Sequence, residues 1–287
     1  MTDISLALGG GGSKGYAHLG VIRALLEMGF EITAIAGTSA GGMAGAIYAA
    51  GYSPEQVLDR ISSVSQEDLF GFGRGPALLS TDGIHQVLEG FLGGLNFSDL
   101  KIPLALTAVD LDEMKEVVIR QGSVLDAVMA TIAIPGVFPP KELGNRILVD
   151  GMVLHAVPVS TARQISPRKP VIAVSLTPEP EHWQVSYPWD SKPANPLLRP
   201  ISRLRIARAF DIYLRSMDIT LHMLGELRLE LEEPEVVIRP KVANIGSLDR
   251  VDVREVARLG DQAVQEARKP LKRLKRRSRR KKTSRDR

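Results

Sequence analysis

Residues 35–51 read IAGTSAGGMAGAIYAAG. The chain enters this segment through a short apolar run, ITAIAG, that reads as a strand. It leaves through a run of small residues, SAGGMAGAIYAAG, that reads as a helix. Between them stands one serine, Ser39, among Gly37, Ala40, Gly41 and Gly42. A G-x-S-x-G string at a strand–turn–helix joint is the setting of a nucleophile elbow. The sharp turn forces unusual backbone angles on the serine, and bulk at Gly37 or Gly41 would clash where strand and helix come together. The helix start adds unpaired N–H groups and a partial positive charge, both favourable to developing negative charge. The same string also fits a glycine-rich helix start capped by Thr38 or Ser39, so the elbow needs support from elsewhere.

Outward from this joint, strand and helix patterns alternate. ISLAL (4–8) opens as a strand, and a helical pattern follows through KGYAHLGVIRALLEMG, stopped by Gly29. PLALTAVDL, EVVIRQG and RILVDG read as strands, and SVLDAVMATIAIPG reads as a helix closed by Pro135. VIAVSL and EVVIRP are late strands, and VDVREVARLGDQAVQEARK is a final amphipathic helix. Such alternation predicts an α/β fold with a mainly parallel sheet covered on both faces. Two segments break the rhythm. Residues 63–100 are Gly-rich and carry Phe70, Phe72, Leu78, Leu79, Phe91 and Leu92. Residues 177–200 carry Trp183, Tyr187 and Trp189 among prolines, too long for an ordinary connection. Both are candidates for a cap or mouth, or for irregular surface insertions.

The loop after the first strand, GGGGSKG (9–15), contains Gly10-x-Gly12-x-x-Gly15. A dinucleotide-binding turn would want an acid at the end of the second strand, and that strand ends in AIAGTSAGG with none. No G-K-[ST] follows at the spacing of a phosphate-binding loop either. Consecutive glycines at the carboxyl end of a sheet can instead turn their N–H groups toward one point, as an oxyanion hole requires.

The serine needs a proton acceptor. The five histidines, His18, His85, His155, His182 and His222, lack local context that marks a base. Asp150 stands out, because RILVDGMV is an apolar strand ending in an acid followed by Gly151. A carboxylate titrates near 4 in water, so it serves a serine only if held close and partly desolvated. An Asp-Gly pair after a strand also fits a simple turn.

At 287 residues the chain suits one large domain or two small ones. It contains no cysteine, which excludes a disulfide framework and a thiolate metal site. Apolar runs fall short of a bilayer span, and the start lacks the basic region of a signal peptide, so the expected location is cytoplasmic. The net charge of +4 hides an asymmetry: residues 268–287 hold 13 Lys/Arg and one Asp. Setting those aside leaves 24 basic and 32 acidic residues, a net of −8. The tail is expected to be disordered. Attraction to an anionic membrane surface, at the inner face, is one role for it. Nucleic acid is disfavoured because no folded reading motif accompanies the charge.

The glycine loop with Lys14, then GTSAGG, AIPGVFPP and VDGMVLHAVPV, in this order, resemble the patatin-like phospholipases, particularly their bacterial members. The resemblance runs from about Leu6 to Arg163 and continues weakly through EVVIRPKVANIGSLD. It implies a three-layer α/β/α sandwich with a catalytic core over 4–163, strands and helices completing the same domain over 164–268, and the tail from 269. It further implies a Ser39–Asp150 dyad without histidine, with Gly10, Gly11 and Gly12 as the oxyanion loop. Lys14, Gly15, Gly37, Gly41 and Gly151 flank the motifs. The implied reaction is acyl-ester hydrolysis of a lipid through an acyl-enzyme, with no metal and no cofactor. Apolar residues around 70–92 are the expected acyl lining. The chain departs from the family at Met152, where Gly or Ala is usual, at Leu154 and His155, and at Met129-Ala130-Thr131, where Arg-Ala-Ser is common. A fold retained for lipid binding or regulation, with weak catalysis, is the alternative.

Overall fold

The computed structural model describes residues 1–64, 71–72, 79–179 and 201–283. Ten strands and nine helices are described: β1 (Thr2–Leu8), α1 (Ala17–Glu27), β2 (Phe30–Thr38), α2 (Ala40–Ala49), α3 (Pro54–Ser62), β3 (Gly71–Phe72), β4 (Leu79–Ser80), α4 (Asp82–Leu92), β5 (Leu104–Asp110), β6 (Lys115–Ile119), α5 (Val124–Thr131), β7 (Lys141–Leu143), β8 (Arg146–Asp150), α6 (Val159–Ile165), β9 (Val171–Val174), α7 (Ile201–Glu232), β10 (Val236–Ile238), α8 (Val253–Glu266) and α9 (Arg268–Thr283).

Eight strands form one sheet in the order β10-β9-β1-β2-β5-β8-β7, with β6 also paired to β5. From β10 to β5 every pairing is parallel, whereas β6 and β8 run antiparallel to β5 and β7 antiparallel to β8. The sheet is mixed and mostly parallel, with helices on both faces.

Side-chain size decides which helix covers which face. Along β1, Ile4, Leu6 and Leu8 point to one face and join residues of α1, α2, α4 and α5 in the main core. Each such fully buried aliphatic side chain contributes about 1.5–3 kcal/mol by leaving water. On the other face a row of alanines runs across four neighbouring strands: Ala173, Ala7, Ala36 and Ala105. Their small size lets α6 lie close to the sheet, with Val159 and Ala162 packed on that row. Leu229 of α7 closes the same cluster.

Several sequence expectations differ from the structure. The helix before Pro135 ends at Thr131, well short of the proline, because the chain turns at Ile132 to reach β7. Within the segment expected to be irregular, residues 82–92 form α4, and its Leu88, Phe91 and Leu92 belong to the main core. The basic tail, expected to be disordered, is helical through Thr283. Leu271 and Leu274 anchor it in the core, and Lys275 reaches the Met28 carbonyl and lies over the Phe30 ring. That contact puts α9 at the start of β2, the end of the sheet opposite Ser39. Phe70, Leu78, Trp183, Tyr187 and Trp189 lie outside the described residues.

Candidate active site

The elbow forms at the carboxyl end of β2. Ser39 has φ 52° and ψ −125°, a conformation that is costly for any residue with a side chain. The neighbours make it attainable. A methyl group on Gly37 would stand 2.5 Å from the Gly42 α-carbon, and one on Gly41 would stand 2.2 Å from the Leu8 carbonyl oxygen. Gly15 meets Ala40 in the same way, so the glycine loop and the elbow touch.

Asp150 reaches Ser39 from the opposite direction. It ends β8, which runs antiparallel to β5, and pairs with Ala108. The Ser39 hydroxyl donates to Asp150 Oδ2 at 2.6 Å, and the Met152 amide donates to Oδ1 at 2.8 Å. Both side chains are buried, Ser39 and Asp150 each 2% exposed. Burial pushes the Asp150 carboxyl up to about 7, against the two hydrogen bonds that favour its ionised form. Gly151, next in the chain, sits against Thr107.

Three threonines hold this arrangement from below. The Ser39 amide donates to Thr131 Oγ1 at 2.8 Å, and the Thr131 hydroxyl donates to the Thr107 carbonyl at 2.6 Å. Thr38 and Thr107 are register partners on β2 and β5, and their hydroxyl oxygens are 2.6 Å apart. Thr38 in turn donates to the His155 carbonyl at 2.9 Å. The Thr131 role is invisible in the sequence, where the residue registers only as a departure from Arg-Ala-Ser.

The glycine loop hangs on the same segment. Gly9 donates to the Val174 carbonyl, and Gly10 donates to the Ala156 carbonyl at 3.1 Å. The Gly10 amide, expected among the oxyanion donors, is therefore engaged by the backbone. The amides of Gly11 and Gly12 have no partner among the described residues. Gly12 takes φ 58° with its α-carbon pressed on the Ser247 carbonyl, while Ser13 donates to that carbonyl at 2.8 Å. Burial depresses the pKa of Lys14, against the nearby charges of Asp218 and Asp249.

Two histidines buttress the site without touching the serine. His18 is fully buried on α1, and its Nε2 lies 2.7 Å from the Gly9 carbonyl. Burial lowers its pKa to about 4, so the ring is neutral with the Nε2–H donating. Its Nδ1 has no partner among the described residues. His155 is gripped on both sides, by Glu116 at 2.9 Å and by Glu232 at the end of α7 at 3.1 Å. Burial opposes charge on this ring, but the two carboxylates outweigh it and hold its pKa above the ordinary range. Among the described residues, the Ser39 and Asp150 side chains bond to no histidine. His85 and His222 pair with acids on their own helices, and His182 lies outside the described residues.

Ser39 opens on a cavity of about 120 Å³ between α1, α2, α3 and α4. Leu19, Met43, Ile47, Ile84, Leu88 and Phe91 are among its walls, and none of the described residues lining it is charged.

The site is thus a buried serine–carboxylate pair at the carboxyl edge of the parallel strands of the sheet. Residues 6–163 match the patatin-like phospholipase family, more than half of the chain, and the chain belongs to that family. An uncharacterized NTE family protein of Mycobacterium tuberculosis is 36% identical over 177 residues, 60% of this chain and 49% of the relative. Patatin-like phospholipase domain-containing protein 7 of Rattus norvegicus is 28% identical over 183 residues, 60% of this chain and 13% of the relative. The match thus spans about half the length of that mycobacterial relative. The crystal structure of VipD from Legionella pneumophila shares the fold, with a TM-score of 0.52 at 13% identity over 92% of this chain and 66% of VipD. Among the described residues no helix is long and apolar enough to cross a membrane.

Proposed function

We propose that this chain is a serine lipid acyl hydrolase of the phospholipase or lysophospholipase type, with Ser39 as nucleophile and Asp150 as base. Family membership supports lipid hydrolysis in general terms. The observation that carries the finer reading is the 2.6 Å bond from Ser39 Oγ to Asp150 Oδ2, beside a cavity whose described walls are mainly apolar.

In the reaction, Ser39 Oγ attacks the ester carbonyl carbon while its proton passes to Asp150 Oδ2. The carbonyl oxygen becomes an oxyanion, met by the Gly11 and Gly12 amides and by the start of α2. Collapse of the tetrahedral intermediate expels the alcohol, which takes the proton from Asp150. Water then attacks the acyl-serine, giving its proton to the same carboxylate, and the fatty acid leaves with Ser39 restored. Near pH 7 a carboxyl held at about 7 is a far stronger base than one in water. Burial thus overcomes the weakness of an ordinary carboxylate.

The acyl chain lies in the cavity between α1 and α4. A lipid surface that delivers substrate approaches the Ser39 end of the sheet. The basic helix α9 is at the other end, so its role toward anionic lipid at the inner membrane face of the cytoplasm is attachment rather than delivery. The test is fatty-acid release from a panel of acyl esters by the wild type and by Ser39→Ala. Release that vanishes in Ser39→Ala is expected. Equal release by both, or none by a folded wild type, overturns the assignment, and the latter outcome favours a lipid-binding protein.

A further inference from the structure

Met152 follows Asp150 and Gly151, and its main-chain amide donates to Asp150 Oδ1, but the reaction above gives its side chain no part. A methyl group added to Gly10 would stand 2.3 Å from the Met152 sulfur, 2.4 Å from its Cγ and 3.0 Å from the Ser39 β-carbon. The thioether therefore rests on the bare α-carbon of Gly10, immediately beside the nucleophile. It is partly buried, and neither Met152 nor Gly10 lines the apolar cavity. Ser39 is thus flanked by the cavity on one side and by the Met152 side chain on another.

An ester attacked by Ser39 projects two groups from its carbonyl carbon at a wide angle. If the acyl chain fills the cavity, the alcohol portion must leave on the side that the cavity does not occupy. We infer that Met152 sets the width of the leaving alcohol, so that the enzyme favours esters at a primary carbon, as at the terminal glycerol position of a lysophospholipid, and discriminates against alcohols with more bulk close to the ester oxygen. This inference rests on the hydrolase reading. The discrimination comes from an unbranched, polarisable side chain that yields partly to pressure, which places it in the range of an ordinary apolar contact, about 10- to 100-fold.

Truncation provides a clean probe because Asp150 Oδ1 is bonded to the Met152 backbone, which Met152→Ala retains while losing the Cγ, Sδ and Cε atoms. The assay compares kcat/KM for ethyl octanoate and cyclohexylmethyl octanoate, with ethyl palmitate reporting acyl-length preference. Met152→Ala is expected to raise the cyclohexylmethyl-to-ethyl ratio about tenfold or more. Met152→Phe is expected to lower it, and Met152→Leu to leave it close to the wild type. The octanoate-to-palmitate ratio stays constant throughout. If the leaving-group ratio is the same in Met152→Ala and Met152→Phe as in an active wild type, or if acyl-length preference moves instead, the assignment of Met152 is wrong and the hydrolase reading survives. A folded wild type that cleaves none of the three esters overturns both.

Discussion

The amide of Ser39 donates to the hydroxyl of Thr131, 2.8 Å away and 92 positions along the chain. That bond holds the one positive-φ residue of the elbow in place, and Thr131 is itself fixed by donating to Thr107. Thr131→Val keeps the shape and removes both bonds, leaving a buried amide unpaired. It is expected to slow acylation about 10- to 100-fold, the rate equivalent of a lost buried hydrogen bond. Thr131→Ser is expected to restore most of the rate. Single-turnover kinetics with a chromogenic ester checks both, and equal rates in Thr131→Val and the wild type would remove Thr131 from the site.

Asp150 must be ionised to accept a proton, so kcat/KM is expected to rise with pH through about 7 and then level. Stability runs the other way. The folded carboxyl binds its proton more tightly than the unfolded one, so stability falls as pH rises from about 4 to about 7 and is constant above. At pH 8 the buried charge costs on the order of 4 kcal/mol. Asp150→Asn removes that cost and is expected to lose activity while melting above the wild type at pH 8, with the gap closing toward pH 4. Thermal melts across this range test it, and a variant less stable than the wild type at pH 8 contradicts it.

His18 positions the glycine loop through the Gly9 carbonyl. Replacement by Leu fills the space but leaves that carbonyl unpaired, whereas Gln offers an N–H at the same reach. His18→Leu is expected to lower kcat about tenfold with KM little changed, and His18→Gln to recover it. With its pKa near 4, His18 adds no limb of its own to the pH profile between 5 and 9. A Leu variant with wild-type kcat would make His18 a packing residue only.

On the proposed reading the cavity wall would set acyl length. Ile84 lines it and is only partly buried, so Ile84→Trp narrows the channel without emptying the core. The ratio of kcat/KM for palmitoyl over butyryl esters is expected to fall by about tenfold or more. An unchanged ratio would move the acyl chain elsewhere.

The parallel half of the fold was legible because β1, β2, β5 and β9 are short apolar runs punctuated by glycine or proline, and period alone separates them from the helices. The direction of β8 was not. An apolar pentapeptide reads the same whichever way it enters a sheet, and it is the antiparallel pairing with β5 that brings Asp150 against Ala108. The helix α9 was missed because its charge masks two buried leucines, Leu271 and Leu274, spaced for one face. At the site, Ser39 and the glycines announce themselves by their small neighbours. Thr131 and His18 do not, since their work is done through backbone atoms of residues distant in sequence or hidden in a helix.

The most direct test of the Ser39–Asp150 pair is intact-mass analysis after treatment with a fluorophosphonate. The wild type is expected to gain one adduct, mapped to the peptide containing Ser39, with labelling abolished in Ser39→Ala and slowed at least 100-fold in Asp150→Asn. An adduct that persists in Ser39→Ala, or labelling of Asp150→Asn at the wild-type rate, contradicts it.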